Sequence, residues 1–224
     1  MAVLGTLLSL GFWQLDRADQ KRVMLVQQQH MMVGGELLLN ARIPDDLSLL
    51  KYRPVSVAGH FEGEHQFLID NQHANGKVGY FVLTPFRLVG TDKAVLVNRG
   101  WLPLNVDRTK LPSLPISAAP MTLNGRVNSF PSVGIKLAGA EIPTKTWPAV
   151  VQVAEASVLA KSLGYPLFSF QIELDPAQPE GFLRVWQPAS IMPPEQHVAY
   201  AVQWFGLALT FTVLFFWFNF KKTA

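Results

Sequence analysis

The sequence predicts an α+β membrane protein, in which two transmembrane helices flank a β-rich soluble domain closed as an antiparallel sandwich or barrel with one or two helices of its own. Three observations lead there. The end of the chain is apolar for the length of a bilayer, the stretch from Met1 to Leu15 is apolar as well, and between them short β-branched and aromatic runs are punctuated by Gly, Pro, Asn and Asp. With 224 residues, 49% hydrophobic and 16% charged, the chain has room for one mid-sized domain and two membrane elements.

The C-terminal signal is the stronger. Val198 to Phe220 carries no Asp, Glu, Lys, Arg or His, and at ~1.5 Å per residue such a helix crosses a hydrocarbon core of ~30 Å. Pro193 and Pro194 suit a helix start, where missing N–H groups cost nothing. Lys221 and Lys222 follow as a cationic anchor, and Tyr200, Trp204 and Trp217 lie towards the interfaces. Residues 195–220 are therefore assigned as a transmembrane helix; a buried core helix is the competing reading, and so long an uncharged run disfavours it.

Residues 1–15 form the N-terminal anchor. They fall several Å short of a full span, so either the bilayer thins or the true start lies upstream. A cleaved signal peptide fits poorly, because there is no basic leading region and no small-residue cleavage pattern before Trp13, Gln14 and Leu15. The helix is expected to continue through Arg17, Lys21 and Val26 to about residue 30. If both segments span, the termini share one side. Lys221 and Lys222 place them in the cytoplasm, whereas Arg17, Lys21 and Arg22 pull the other way; the C-terminal pair is given more weight.

Residues 40–192 form the soluble domain. Strands are predicted over Val55 to Phe61, Gln66 to Asp70, Tyr80 to Phe86, Ala94 to Asn98, Thr122 to Val127 and Phe168 to Leu174. Asn75 and Gly76 supply a hairpin turn between the second and third. Val153 to Leu163 reads as a helix stopped by Gly164, with Pro166 beyond it. Val106 to Pro120, with Pro112, Pro115 and Pro120, reads as a loop.

Little in this domain carries chemistry. The net charge is +3, but the basic residues are scattered singly and form no stripe for a phosphate backbone, which sets nucleic acid aside. The absence of cysteine excludes disulfides, thiolate metal sites and a Cys nucleophile. His60, His65 and His73 raise a metal site, but residues 60 and 65 are an odd number apart and do not share a strand face, so they read as surface or turn histidines. Asp45 and Asp46 read as loop or cap residues, and no nucleophile elbow or phosphate loop is present, so these residues leave an enzyme open but unsupported.

A more specific pattern lies where the anchors meet the domain. His197, Tyr200 and Trp204 are three and four positions apart and share one helical stripe bordered by Gln203; Trp13, Gln14 and Arg17 sit at the membrane exit of the first helix. Gln14 and Gln203 cost free energy in lipid unless hydrogen-bonded, and bonding to each other is one solution. A neutral imidazole at this depth can ligate a haem iron, with aromatic rings on the macrocycle and Arg17 on a propionate. An interfacial histidine that merely helps to end a helix is the alternative.

Five segments occur in order: GFWQLDRADQK (Gly11 to Lys21), YRPVSVAGHF (Tyr52 to Phe61), GYFVLTPF (Gly79 to Phe86), VNRGWLP (Val97 to Pro103) and HVAYAVQWFGLA (His197 to Ala208). Together they resemble the Surfeit-locus, or Shy, family of cytochrome c oxidase assembly proteins. The resemblance implies a non-catalytic protein of the bacterial inner membrane, with its domain in the periplasm and its termini in the cytoplasm. It also implies work alongside other assembly factors on haem-copper oxidase subunit I. It further implies haem a binding, with His197 as the axial ligand of the iron; Trp13, Gln14, Arg17, Tyr200, Gln203 and Trp204 are added to that site by their expected depth. Two departures stand out: Gln196 occupies a position where Asn is common in the family, and the first anchor is short. Arg99, Gly100 and Trp101 are expected either to brace the helices or to dock the oxidase subunit, while VNRGW taken alone also reads as a tight turn after a strand. A haem-independent scaffold that binds and stabilises oxidase subunits is the second reading, and a membrane-tethered hydrolase a distant third.

Overall fold

The computed structural model describes residues 2–39, 50–107, 110–131, 135–186 and 192–220. Lys221, Lys222, Asp45 and Asp46 lie outside the described residues. The chain forms two compact units, one of residues 1–29 with 187–224 and one of residues 30–186.

In the second unit, eight strands form one mixed sheet: β1 (Leu37–Leu38), β2 (Pro54–Phe61), β3 (Phe67–Ala74), β4 (Lys77–Leu88), β5 (Ala94–Pro103), β6 (Met121–Asn128), β7 (Ala149–Val151) and β8 (Leu167–Leu174). The order is β1-β2-β6-β8-β5-β4-β3-β7, and β4 also pairs with β2. That extra pairing closes β2, β6, β8, β5 and β4 into a small barrel. Closure leaves these five strands without a long free edge, and it buries alternate residues from each of them. Val55, Val57, Phe61, Phe86, Leu88, Val95, Val97, Leu123, Val127, Phe170, Ile172 and Leu174 form this core. Each such side chain contributes about 1.5–3 kcal/mol when fully buried.

All six predicted strands are present, each longer than predicted by one to several residues, and the barrel-like alternative is the one adopted. Two features differ from the expectation. The sheet is not purely antiparallel, since β5–β8, β1–β2 and β3–β7 run parallel. Two short strands, β1 and β7, were not predicted, because two or three residues give no readable alternation.

The β3–β4 hairpin pairs Ala74 with Lys77, so Asn75 and Gly76 form the two-residue turn. Their φ angles of 51° and 72° are the positive pair that this turn requires. Helix α2 (Ala156–Leu163) ends at Gly164, with φ 80° and its N–H bonded to the carbonyl of Ala160. It starts later than the predicted Val153, because the N–H of Val153 bonds instead to the carbonyl of Ala140 and Glu155 is extended. Among the described residues of 106–120 there is no regular structure, in keeping with the prolines. A second apolar layer, including Phe67, Ile69, Leu83, Leu96, Val151 and Leu159, packs α2 and the outer strands together.

The first unit consists of helices. α1 (Ala2–Val33) begins there, and α3 (Pro194–Phe220) lies wholly within it. Among the described residues α3 is the one helix long and apolar enough to cross a membrane, and only 11% of its most apolar window is buried, unlike a core helix of a soluble protein. α1 does not meet the same criterion, because Asp16, Arg17 and Asp19 interrupt it after Leu15.

Candidate functional site

In the helical unit, α1 and α3 meet where Gly11 and Phe12 face Phe205 and Gln14 faces His197. α1 buries Gly11 and Ala18, and α3 buries Pro194, His197, Ala201 and Ala208. Gly11 is needed for space. A Cβ there would lie 2.5 Å from the ring of Phe205, which also packs edge-on against Phe12 at 5.2 Å between centroids.

A polar contact joins the two helices. His197 Nδ1 lies 2.7 Å from Gln14 Oε1. A carbonyl oxygen only accepts, so Nδ1 carries a proton and donates it, and in the neutral imidazole the lone pair then falls on Nε2. His197 is 8% exposed, and its Nε2 is buried with no hydrogen-bond partner among the described residues. Buried polar atoms are nearly always paired, so an orphaned lone pair here marks a position from which something can be ligated.

The other residues predicted for this site are arranged less tightly. Trp13 is 48% exposed, and Arg17 sits over its ring with Cζ 5.5 Å from the centroid while donating to Gln20 Oε1 at 3.0 Å. Tyr200 is 47% exposed, Gln203 is exposed and Trp204 is half-buried. Gln14 takes His197 as its partner, so the alternative Gln14–Gln203 pairing is not the one adopted. The buried stripe of α3 runs from His197 through Ala201, which leaves Tyr200 to one side of it. Gly11, Ala18, Ala201 and Phe205 escaped the sequence reading. The heptad spacing of Gly11 with Ala18 and of Ala201 with Ala208 was the available signal.

In the strand domain, Arg99, Gly100 and Trp101 all have internal roles. Phe81 pairs with Trp101 and Leu83 with Asn98, so Arg99 and Gly100 together oppose Val82 in a β-bulge. This is not a turn at the end of a strand: β5 continues through it to Pro103. Gly100 has φ 111°, and the Asn98 side chain accepts its N–H at 3.0 Å. The bulge turns Arg99 inwards, where its side chain is 2% exposed.

There Arg99 Nη1 donates to Gln66 Oε1 (3.0 Å), Nε to the carbonyl of Glu180 (2.6 Å) and Nη2 to the carbonyl of Pro115 (3.1 Å). Burial pushes its pKa down to about 10, opposed by the nearby Glu180 carboxylate. Trp101 is buried too, and its Nε1 donates to the carbonyl of Gln72. The motif therefore braces the domain from within, and its Arg and Trp side chains offer no free surface for a partner. Of the three histidines in this region, His60 is exposed and His65 meets Glu62 at 2.6 Å. Among the described residues no three His, Asp or Glu side chains converge as a metal set.

A barrel-like sheet, together with one helix among the described residues that is long and apolar enough to cross a membrane, defines the class: an α+β protein with a buried, half-paired histidine on its apolar helix. The chain belongs to the SURF1 family, whose pattern matches residues 1–209. It is similar to SURF1-like proteins of Rickettsia bellii (29% identity over 93% of this chain and 84% of the relative) and Rickettsia felis (28% over 93% and 90%). It is also similar to the cytochrome oxidase assembly protein SHY1 of Saccharomyces cerevisiae, 31% identical over 42% of this chain and 24% of that protein.

Proposed function

We propose that this protein assists the assembly of haem-copper cytochrome c oxidase by carrying haem a to subunit I, with His197 as its ligand. Family membership and the similarity to SHY1 support the assembly role. The observation that carries the haem reading is the buried His197 Nε2, free of any described partner while Nδ1 is committed to Gln14. Those residues fit the group, since neutral imidazole is an established axial ligand of haem iron. When bound, haem a supplies an iron that a single imidazole can hold. Trp13, Tyr200 and Trp204 supply aromatic surface at the same end of the helices, Gln203 a polar edge, and Arg17 a cation for a propionate. A single protein ligand suits a carrier that must release its cargo, and no bond-making step is assigned to the chain.

The reading extends to topology. Both α1 and α3 span, the soluble domain faces the periplasm and the termini are cytoplasmic. Ala2 to Leu15 supplies about 21 Å of helix, and Trp13 with Arg17 forms an aromatic and cationic anchor at the exit. Because the native chain has no cysteine, a single cysteine at Asp92 should react with an impermeant maleimide in intact spheroplasts. Protection there would refute a periplasmic domain.

The haem test is an absorption spectrum of the protein purified from cells that make haem a, compared with His197→Ala and Arg17→Ala. Loss of the Soret band in His197→Ala supports ligation. A colourless wild-type protein, with oxidase assembly untouched by His197→Ala, would instead favour a haem-independent scaffold.

A further inference from the structure

We propose that Gln14 is the positioning residue of the histidine site. It fixes the tautomer and ring orientation of His197 from the neighbouring helix, and as a neutral amide it keeps the ligand weak enough to let go. This deepens the haem-carrier reading and rests on it.

Three features of the contact carry the inference. The Gln14 carbonyl oxygen can only accept, so the 2.7 Å contact holds the His197 proton on Nδ1 and leaves the lone pair on Nε2. Without that acceptor, the proton could move to Nε2 and cap the ligating nitrogen. Second, Nε2 is buried and unpaired among the described residues, so nothing else described there selects this tautomer. Third, the acceptor is an amide. A carboxylate in the same place would draw the Nδ1 proton more strongly and raise the basicity of Nε2, as outer partners of metal-bound histidines do. That suits retention, whereas an amide orients the ring without the added donor strength, which suits handover. The packing nearby supports the arrangement, because Gly11 lies one turn from Gln14 and leaves room for the Phe205 ring of α3.

The test uses the full chain in detergent, with haemin as the probe. Histidine 15N spectra of the haem-free protein report the tautomer, and His197→Ala identifies the signal among the five histidines of the chain. Wild type should show the proton on Nδ1, and Gln14→Leu should lose that preference. Haemin affinity in Gln14→Leu should fall by about 10- to 100-fold, the usual effect of removing an outer partner of a ligating histidine.

Gln14→Glu gives the discriminating result: it should bind haemin more tightly than wild type and release it more slowly to apomyoglobin. A purely structural role for Gln14 predicts weaker binding in both variants, so weaker binding by Gln14→Glu overturns the proposal. A wild-type proton on Nε2 does the same. If His197→Ala loses haemin but Gln14→Leu matches wild type in affinity and tautomer, ligation stands and the role of Gln14 falls. If His197→Ala binds haemin as tightly as wild type, ligation fails, and positioning of that ligand by Gln14 fails with it.

Discussion

Arg99 Nη1 donates to Gln66 Oε1 across 3.0 Å, and the same oxygen accepts from Thr84 Oγ1 at 2.7 Å, while Gln66 Nε2 donates to the carbonyl of Leu114 at 2.6 Å. One amide and one guanidinium thus tie β4, β5 and the residue that precedes β3 to the proline-rich segment and to the Glu180 carbonyl. Removing the guanidinium leaves acceptors stranded in a nearly dry site. Arg99→Ala is expected to lower stability by about 3 kcal/mol. Arg99→Lys should recover only part of that, since an ammonium cannot serve three planar directions at once. Thermal unfolding followed by circular dichroism measures both; equal stability of Arg99→Ala and wild type would remove the brace.

Gly100 and Gly164 both have positive φ, 111° and 80°, but only one is crowded. A Cβ on Gly100 would lie 2.6 Å from the carbonyl oxygen of Leu183, whereas one on Gly164 would meet nothing within 4 Å. Gly164→Ala should therefore cost about 1–2 kcal/mol for conformation alone. Gly100→Ala should cost more, about 3 kcal/mol, by adding a backbone clash to the strain. Denaturant midpoints of the two variants should rank in that order.

Across the helix seam, Gly11→Leu should push against the Phe205 ring and cost about 1–3 kcal/mol by overpacking. Phe205→Ala should relieve the clash, so the double variant should be more stable than the sum of the two single changes predicts. A double-mutant cycle in SDS denaturation measures the coupling; strict additivity would mean that the two positions do not touch.

Tyr165 supplies a pH dependence. Burial, then its hydrogen bond to Glu62 and the Glu62 charge, raise its pKa above the ordinary value of 10.0. The folded state therefore holds the phenol proton more tightly than the unfolded chain does. The resulting stability is complete below pH 10 and is lost as pH rises from there through the raised folded value. Tyr165→Phe should flatten that alkaline decline in melting temperature; an unchanged slope would assign it to other groups.

Sequence alone reached the strands of the barrel because their alternation is a local property: Val55 and Val57 or Val95 and Val97 announce an inward face within a few residues. Closure was less legible, since the pairing of Gly59 with Leu88 and of Ala94 with Leu167 is decided by distant segments. The Arg99 brace was hidden for the same reason. Its partners Gln66, Pro115 and Glu180 are unremarkable residues until a bulge turns the guanidinium inwards. At the helix site, residue chemistry pointed to His197 and Gln14 but offered Gln203 as one partner for Gln14. Which amide reaches the imidazole depends on the rotation of the helices, where Gly11 leaves room for the Phe205 ring.

The last strand of the barrel, β8, lies between β5 and β6. A chain emerging from its N-terminus therefore exposes two unsatisfied edges until Leu174 has appeared, and residues 175–193 then lead on to α3. Substitutions that weaken β8 pairing should act first as defects of yield and aggregation, through prolonged exposure of those edges.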